Sequence, residues 1–252
     1  MTSRKFIEEC RYMRARYLLY VLALLSIVGW GQFQFSPISP VTTGTVSIDD
    51  DSIGSQSWMD KETKSIIAQA GNINPNVLKL SLTAYSKARH KNLDDKGLLT
   101  IVDYSKPSSE RRLWVVDVKK QKVLFNTWVA HGKNSGALNS TSFSNDARSL
   151  KSSLGVFLTS DTYSGKNGYS LHIQGLESGI NDHAYDRAIV FHGASYVSGG
   201  RGMMGRSWGC LAVSRDVVKP LINTIKSNTL VVAYYPDKNW LKHSSYVNSG
   251  LV

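Results

Sequence analysis

The sequence predicts a β-rich α+β domain with a small helical segment ahead of it. From residue 98 onward, apolar residues fall into short β-branched and aromatic runs separated by turn-forming residues. Helical spacing is confined to 58–92 and to one stretch around Val217, Leu221 and Ile225. Glycine gathers between the strand-like runs, in 132–136 and 199–205, where a chain can take positive φ or let backbones approach closely. With 252 residues, 42% hydrophobic and 19% charged, the chain can bury a core and is not of disordered composition.

At the N-terminus Arg4, Lys5, Arg11, Arg14 and Arg16 precede an almost wholly apolar run of 14 residues, Tyr17 to Trp30. A basic segment before a short apolar core is the pattern of a secretory signal, and the run is shorter than the roughly 20 residues of a spanning helix. No clean small-x-small site follows, so 1–30 reads as a signal peptide or a retained anchor. Either reading exports the rest of the chain to the periplasm or cell envelope, with membrane contact only through this segment if it stays uncleaved. Residues 31–57, rich in Ser, Thr, Pro and Asp, read as a flexible linker.

The segment 58–97 reads as helical, with Asn74-Pro75 as N-cap and first turn, followed by Leu78, Leu82 and Tyr85 at helical spacing. The domain proper spans 98–236. Its strand candidates are 98–103, 112–118, 122–130, 155–160, 169–173, 188–192 and 230–235, with a hairpin connection across 118–122. The Val217–Ile225 stretch reads as one short helix with Pro220 in its first turn. Residues 237–252 read as a tail, and no internal repeat is present.

The formal net charge of +11 suits a polyanionic partner and equally suits simple solubility. Export and the lack of a recognition motif argue against nucleic acid. Gly200-Arg201-Gly202-Met203-Met204-Gly205 matches G-x-G-x-x-G, but Arg-Ser-Trp-Gly-Cys follows it where a dinucleotide site needs a helix. His172, His183, His192 and Cys210 lack the spacing of a helical zinc site. No cofactor and no metal is therefore expected.

Of two cysteines, Cys10 lies in the basic N-region, which leaves Cys210 as the only exported thiol, with no intrachain partner. Such a thiol is either an inert core residue or a used one. Its neighbours favour use: His192 closes an apolar strand, a glycine-rich loop follows, and Cys210 comes directly after Gly209. An imidazole beside a thiol supplies what nucleophilic thiol catalysis requires, stabilising the attacking thiolate and protonating the leaving amine. Gly209 lets its own amide and that of Cys210 turn toward a developing oxyanion. Arg206 and Arg201 flank the site as carboxylate clamps or as solvated loop charges.

The run Gly205-Arg206-Ser207-Trp208-Gly209-Cys210, with Ile189-Val190-Phe191-His192-Gly193 upstream, resembles the L,D-transpeptidase (YkuD-like) family, in its Ser-Trp-Gly-Cys branch. Leu113–Asp117, His131–Gly136, Lys151–Gly155 and Gly168–Leu171 fit the same branch, so the similarity spans roughly 98–235. The resemblance implies a β-sandwich or barrel whose cysteine attacks the third residue of a peptidoglycan stem peptide and releases D-alanine, with covalent capture by carbapenems. It implies Cys210 as nucleophile and His192 as base, Gly209 and Cys210 amides as oxyanion donors, and Arg206, Ser207, Trp208, Arg201 and Gly193 along the substrate. Where the better-known branch has Ser-His-Gly-Cys and a polar residue two positions after Cys, this chain has Trp208 and Ala212. A carboxypeptidase or thiol amidase on the same substrate, and a catalytically silent wall-binding module, are the rival expectations.

Overall fold

The structure is a computed structural model that describes residues 52–199, 202–204 and 206–248. The expectations placed on 1–51, among them the export segment and most of the linker, and on Arg201 lie outside the described residues. Among the described residues no helix is long and apolar enough to cross a membrane.

Helices α1 (Gln56–Ala70) and α2 (Pro75–His90) come first. Ser55 caps α1 by accepting the Trp58 amide, and Asn74 caps α2 by accepting the Asn76 amide ahead of Pro75. There follow β1 (Leu98–Asp103), β2 (Leu113–Asp117), β3 (Lys122–Thr127), β4 (Gly155–Gly165), β5 (Gly168–Gly175), β6 (Val190–Ala194) and β7 (Leu211–Ser214). Helix α3 (Arg215–Ile225), β8 (Leu230–Tyr234) and α4 (Lys238–His243) complete the chain. The strands form one sheet in the order β3-β2-β1-β8-β4-β5-β6-β7. Beyond β3 the chain bridges back to the β7 edge through Ala130 and Ala212, so the sheet curls almost into a barrel. The β-rich α+β fold with a small N-terminal helical segment is thus the observed one.

Strand alternation separates the packing into faces. Leu99, Ile101, Trp114, Val116 and Val232 meet α1, α2 and Trp240. Val102, Leu113, Val115, Leu171, Phe191, Leu211 and Val231 meet Leu221, Ile222 and Ile225 of α3. Leu171, Phe191 and Leu211 are successive partners across β5, β6 and β7, so the residues flanking them along these strands point to the other side.

Three local readings are revised. Pro220 lies in the middle of α3, not in its first turn. It sits on the exposed side, as does Asp216 four residues earlier, so water can satisfy the carbonyl that Pro220 leaves without a donor. Strand β7, four residues directly after Cys210, was not anticipated. The segment read as a tail holds α4, where buried Trp240 donates Nε1–H to Glu177 Oε2 at 3.1 Å, and Tyr246 and Val247 join the same core. Trp240→Ala is expected to destabilise the domain by about 3–5 kcal/mol, through the cavity and the lost donor to a buried carboxylate. Chemical denaturation checks this; a loss below about 1 kcal/mol would show that α4 is only peripheral.

Candidate active site

Strands β6 and β7 run parallel, with Phe191 opposite Leu211 and His192 opposite Ala212. Because Phe191 and Leu211 face α3, His192 emerges on the reverse face of β6, where Ala130, Ala194, Ala212, Val197 and Met204 form an apolar cluster. Cys210 stands directly before β7, with its Sγ against the Ala188 carbonyl just ahead of the neighbouring β6. One strand spacing and two residues of rise put the two Cα atoms roughly 8 Å apart.

His192 is buried, and Nδ1–H donates to the Gly193 carbonyl at 3.1 Å. That bond selects the tautomer whose Nε2 carries the free lone pair. Burial pushes the His192 pKa down, opposed by the Gly193 carbonyl, so the ring is a neutral base at pH 7. Cys210 Sγ donates to the Ala188 carbonyl at 3.4 Å. Ala188 itself stands at φ 52, a left-handed conformation that a non-glycine residue holds only under constraint. Burial pushes the Cys210 thiol up, against the opposing pull of the Val190 amide and the Arg187 guanidinium. Both shifts favour a neutral thiol and a neutral imidazole in the substrate-free protein. Among the described residues no hydrogen bond joins Sγ to the ring.

The turn carrying the thiol is built from backbone constraints. Gly209 has φ +121, and a Cβ there would lie 2.8 Å from the Lys151 carbonyl oxygen. Ser207 Oγ accepts the Gly209 amide at 3.2 Å and donates to the Cys210 carbonyl at 2.7 Å. The Gly209 amide, expected to face an oxyanion, is therefore engaged inside the turn, while the Cys210 amide lies near its own sulfur.

Ser152 joins the sequence motifs into one buried cluster. Its Oγ accepts the Gly132 amide at 3.0 Å and donates to the Gly209 carbonyl at 3.2 Å, while its amide donates to Ser135 Oγ at 2.9 Å. The Ser207 and His131 segments are laced together by Ser207 N–H to His131 O, 2.9 Å, and Lys133 N–H to Ser207 O, 2.8 Å. The motifs at 131–136, 151–155 and 206–210 thus recur in one chain because they hold one another.

The remaining sequence candidates divide. Trp208, 72% exposed, stands free beside the thiol with Lys133 Nζ 6.0 Å from its ring centroid, open to a substrate. Arg206 Nη1 donates to the carbonyls of Lys133 and Gly136 at 2.9 and 3.0 Å, so part of its guanidinium staples the 131–136 loop. Ser207 is buried in the turn and unavailable to substrate. Gly193 is corrected to a packing position, since a Cβ there would meet Val218 of α3 at 2.9 Å, behind the sheet. His131 is buried; its Nδ1 accepts from Arg112 Nη2 at 2.7 Å, and burial with Arg112 holds its pKa down to about 4. It does not line the cleft.

Sequence reasoning missed Arg187 and Tyr196. Arg187 donates to Ser144 O, Ser153 Oγ, Ser149 Oγ and Lys151 O at 2.5–3.0 Å, pinning the 144–153 segment while placing its charge near Sγ. The signal was the serine-rich stretch at 144–153, which supplies the acceptors. Tyr196, pushed up to about 12 by burial and then by Cys210, borders the thiol from the loop after β6.

The site is thus set in a curled, mixed β-sheet, with a thiol directly before its edge strand and an imidazole on the next strand. Residues 69–234, more than half of the chain, match the family model described as the L,D-transpeptidase catalytic domain, and the chain belongs to that family. Similar solved structures include an L,D-transpeptidase from Mycobacterium smegmatis, 12% identical over 55% of this chain and 59% of that chain, with a TM-score of 0.36. Mycobacterium tuberculosis L,D-transpeptidase 1 gives 12% identity over 54% and 61%, with a TM-score of 0.33. An L,D-transpeptidase from Stackebrandtia nassauensis gives 15% over 69% and 76%, with a TM-score of 0.34. The match spans less than two thirds of the first two chains. No curated protein matches the chain.

Proposed function

We propose that the protein is an exported, cysteine-dependent peptidoglycan L,D-transpeptidase, with Cys210 as nucleophile and His192 as proton carrier. The observation that supports this is the parallel β6–β7 pairing, which sets the strand carrying His192 beside the strand that Cys210 leads into. Family membership supports the reaction class.

With substrate bound, His192 Nε2 takes the Sγ proton as sulfur attacks the carbonyl carbon of the third stem residue. The carbonyl oxygen gains the negative charge and accepts from the Cys210 amide; one such donor is worth about 3 kcal/mol. The C–N bond to D-alanine breaks, and Nε2–H delivers its proton to the departing amine, leaving a thioester. An acceptor amine then attacks the thioester carbonyl, Nε2 removes a proton from it, and Sγ leaves with that proton to restore the thiol. Water in place of the amine gives the carboxypeptidase reaction. Trp208, exposed on the turn that carries the thiol, offers its ring to the substrate. The neutral thiol and imidazole suit this sequence, because the proton moves only as the new C–S bond forms.

Incubating the full chain with tetrapeptide muropeptides and following the products by mass spectrometry tests the proposal. Cross-linked dimers formed with loss of D-alanine are the expected products. Tripeptide alone would assign hydrolysis, and no product at all would leave a silent wall-binding module. Thiol titration cannot make that distinction, since burial raises the Cys210 pKa in the substrate-free protein whether or not it is catalytic.

A further inference from the structure

Two strands from β7, on β4, β5 and the turn after them, lies an open groove of about 470 Å³ lined by Ser160, Gln174, Asp182, Tyr185 and Asp186. Its position follows from register. His172 of β5 is opposite Val190 of β6, and Val190 stands one residue before Phe191, as Cys210 stands before Leu211. His172, Val190 and Cys210 are therefore level across the strands, with His172 about 10 Å from Cys210 at two strand spacings. The groove wall is the turn holding Asp182, Tyr185 and Asp186, and the next two residues of that turn, Arg187 and Ala188, are those that touch the thiol's surroundings.

Three rings cluster beside this groove. Tyr163 stacks on His172 with centroids 4.4 Å apart and planes 14° apart, and Tyr185 packs against His172 at 5.0 Å, tilted by 40°. Tyr163 and Tyr185 are 37% and 43% exposed, two of the few large apolar side chains that the described residues leave in solvent. His172 is fixed in plane by Nδ1–H to Asp161 Oδ2 at 3.1 Å. The acceptors are also fixed: Asp182 Oδ1 takes Asn145 Nδ2–H at 2.7 Å and the Gly179 amide at 3.1 Å. None of the five lining residues is basic, on a chain of net charge +11, so the groove repels anions where most of the surface attracts them.

We infer that this groove binds a neutral pyranose, the sugar to which a stem peptide is attached. The axial C–H bonds of a pyranose carry partial positive charge and meet the negative face of an aromatic ring, and its hydroxyls need fixed donors and acceptors at the rim, here an amide, a hydroxyl and carboxylates already held in place. The inference rests on the stem-peptide reading for its geometry. With the third-residue carbonyl at Sγ, three extended residues span roughly 10 Å, which matches the distance to His172 and the groove for a stem that runs across β6 and β5. An ammonium ligand is the other chemistry that carboxylates and tyrosines suit; of the two carboxylates in the lining, Asp182 already accepts from Asn145 and the Gly179 amide, and Asp186 is the one that such a cation would use.

The test titrates the full chain with the peptide-free tetramer of N-acetylglucosamine by calorimetry, and in parallel with ethylammonium chloride. Saccharide binding that weakens at least tenfold in Tyr185→Ala, and less than threefold in Asp186→Asn, is the expected result, with circular dichroism showing both variants folded. No saccharide binding by the wild type, or equal binding by Tyr185→Ala, overturns the inference. So does ethylammonium binding that Asp186→Asn abolishes while the saccharide fails to bind. Should either variant fail to fold, chemical-shift changes on the wild type decide: shifts centred on Tyr163, His172 and Tyr185 support the groove, and shifts elsewhere overturn it. The ligand contains no peptide, so its failure is separate from failure of stem turnover.

Discussion

Cys210→Ala is expected to abolish acyl transfer, by about 10⁶-fold as for deletion of a nucleophile that acts with its base, while the fold stays intact. The reason is that so little of the structure depends on Sγ. The hydrogen bond that it donates goes to the Ala188 carbonyl at 3.4 Å, a weak contact, and the residue is half-buried at the lip of the sheet. Loss of stability should stay within about 1 kcal/mol. Muropeptide turnover and denaturant midpoints, measured on one preparation, separate the two effects. Residual turnover near the wild-type rate would move the chemistry to another residue, and unfolding would make Cys210 a packing residue.

Gly209→Ala should be the most damaging conservative change around the thiol. At φ +121 an L-residue is strained by about 1–3 kcal/mol, and the added carbon would sit 2.8 Å from the Lys151 carbonyl oxygen and 2.9 Å from Ile189 Cδ1. The Ile189 methyl can give way, but the Lys151 carbonyl belongs to the segment held by Arg187 and Ser152 and cannot. The turn must shift, carrying the Cys210 amide and sulfur with it, and a displacement of about 1 Å costs roughly 10²-fold in rate. We expect a loss of about 2–3 kcal/mol in stability and a rate loss of about 10²-fold in the fraction that folds. Gly202→Ala is the control: it lies in the glycine-rich loop before the thiol with open space around it, and should change stability by no more than about 0.5 kcal/mol.

The fold class was readable because local signals and packing agreed. Leu113–Asp117 and Leu230–Tyr234 are apolar enough to be strands in any context, and Asn74-Pro75 marks the start of α2 by capping chemistry alone. What was not readable is what depends on distant partners. Leu211-Ala212-Val213-Ser214 is too short to announce a strand, and becomes one only because β6 supplies its ladder. Trp240 gives no hint that Glu177 waits for its N–H.

At the site the same division holds. The thiol, the imidazole and the need for Gly209 were visible in residue types, since each has a chemical reason independent of the fold. Where the Gly209 amide points was not, because it depends on Ser207 Oγ folding back within the turn. Gly193 looked like part of the cleft beside His192, yet alternation along β6 turns it to α3. Arg187 is bound by four separate serine-segment groups far from it in sequence, and no local pattern marks such a residue.

That His192 moves the Cys210 proton is tested most directly by the rate of carbapenem acylation, followed by intact mass from pH 5 to 9, for wild type and His192→Ala. The His192 pKa is lowered, so the ring stays an unprotonated base below the usual histidine range, and wild-type acylation should persist at acid pH. The thiol pKa is raised, so a variant without the base must wait for spontaneous thiolate, which forms only above the usual cysteine range. His192→Ala should therefore be slower by about 10²–10⁴-fold at pH 7 and recover as pH rises, with a single adduct on Cys210 in both proteins. Equal rates for the two proteins at pH 7, or an adduct elsewhere, would contradict the account.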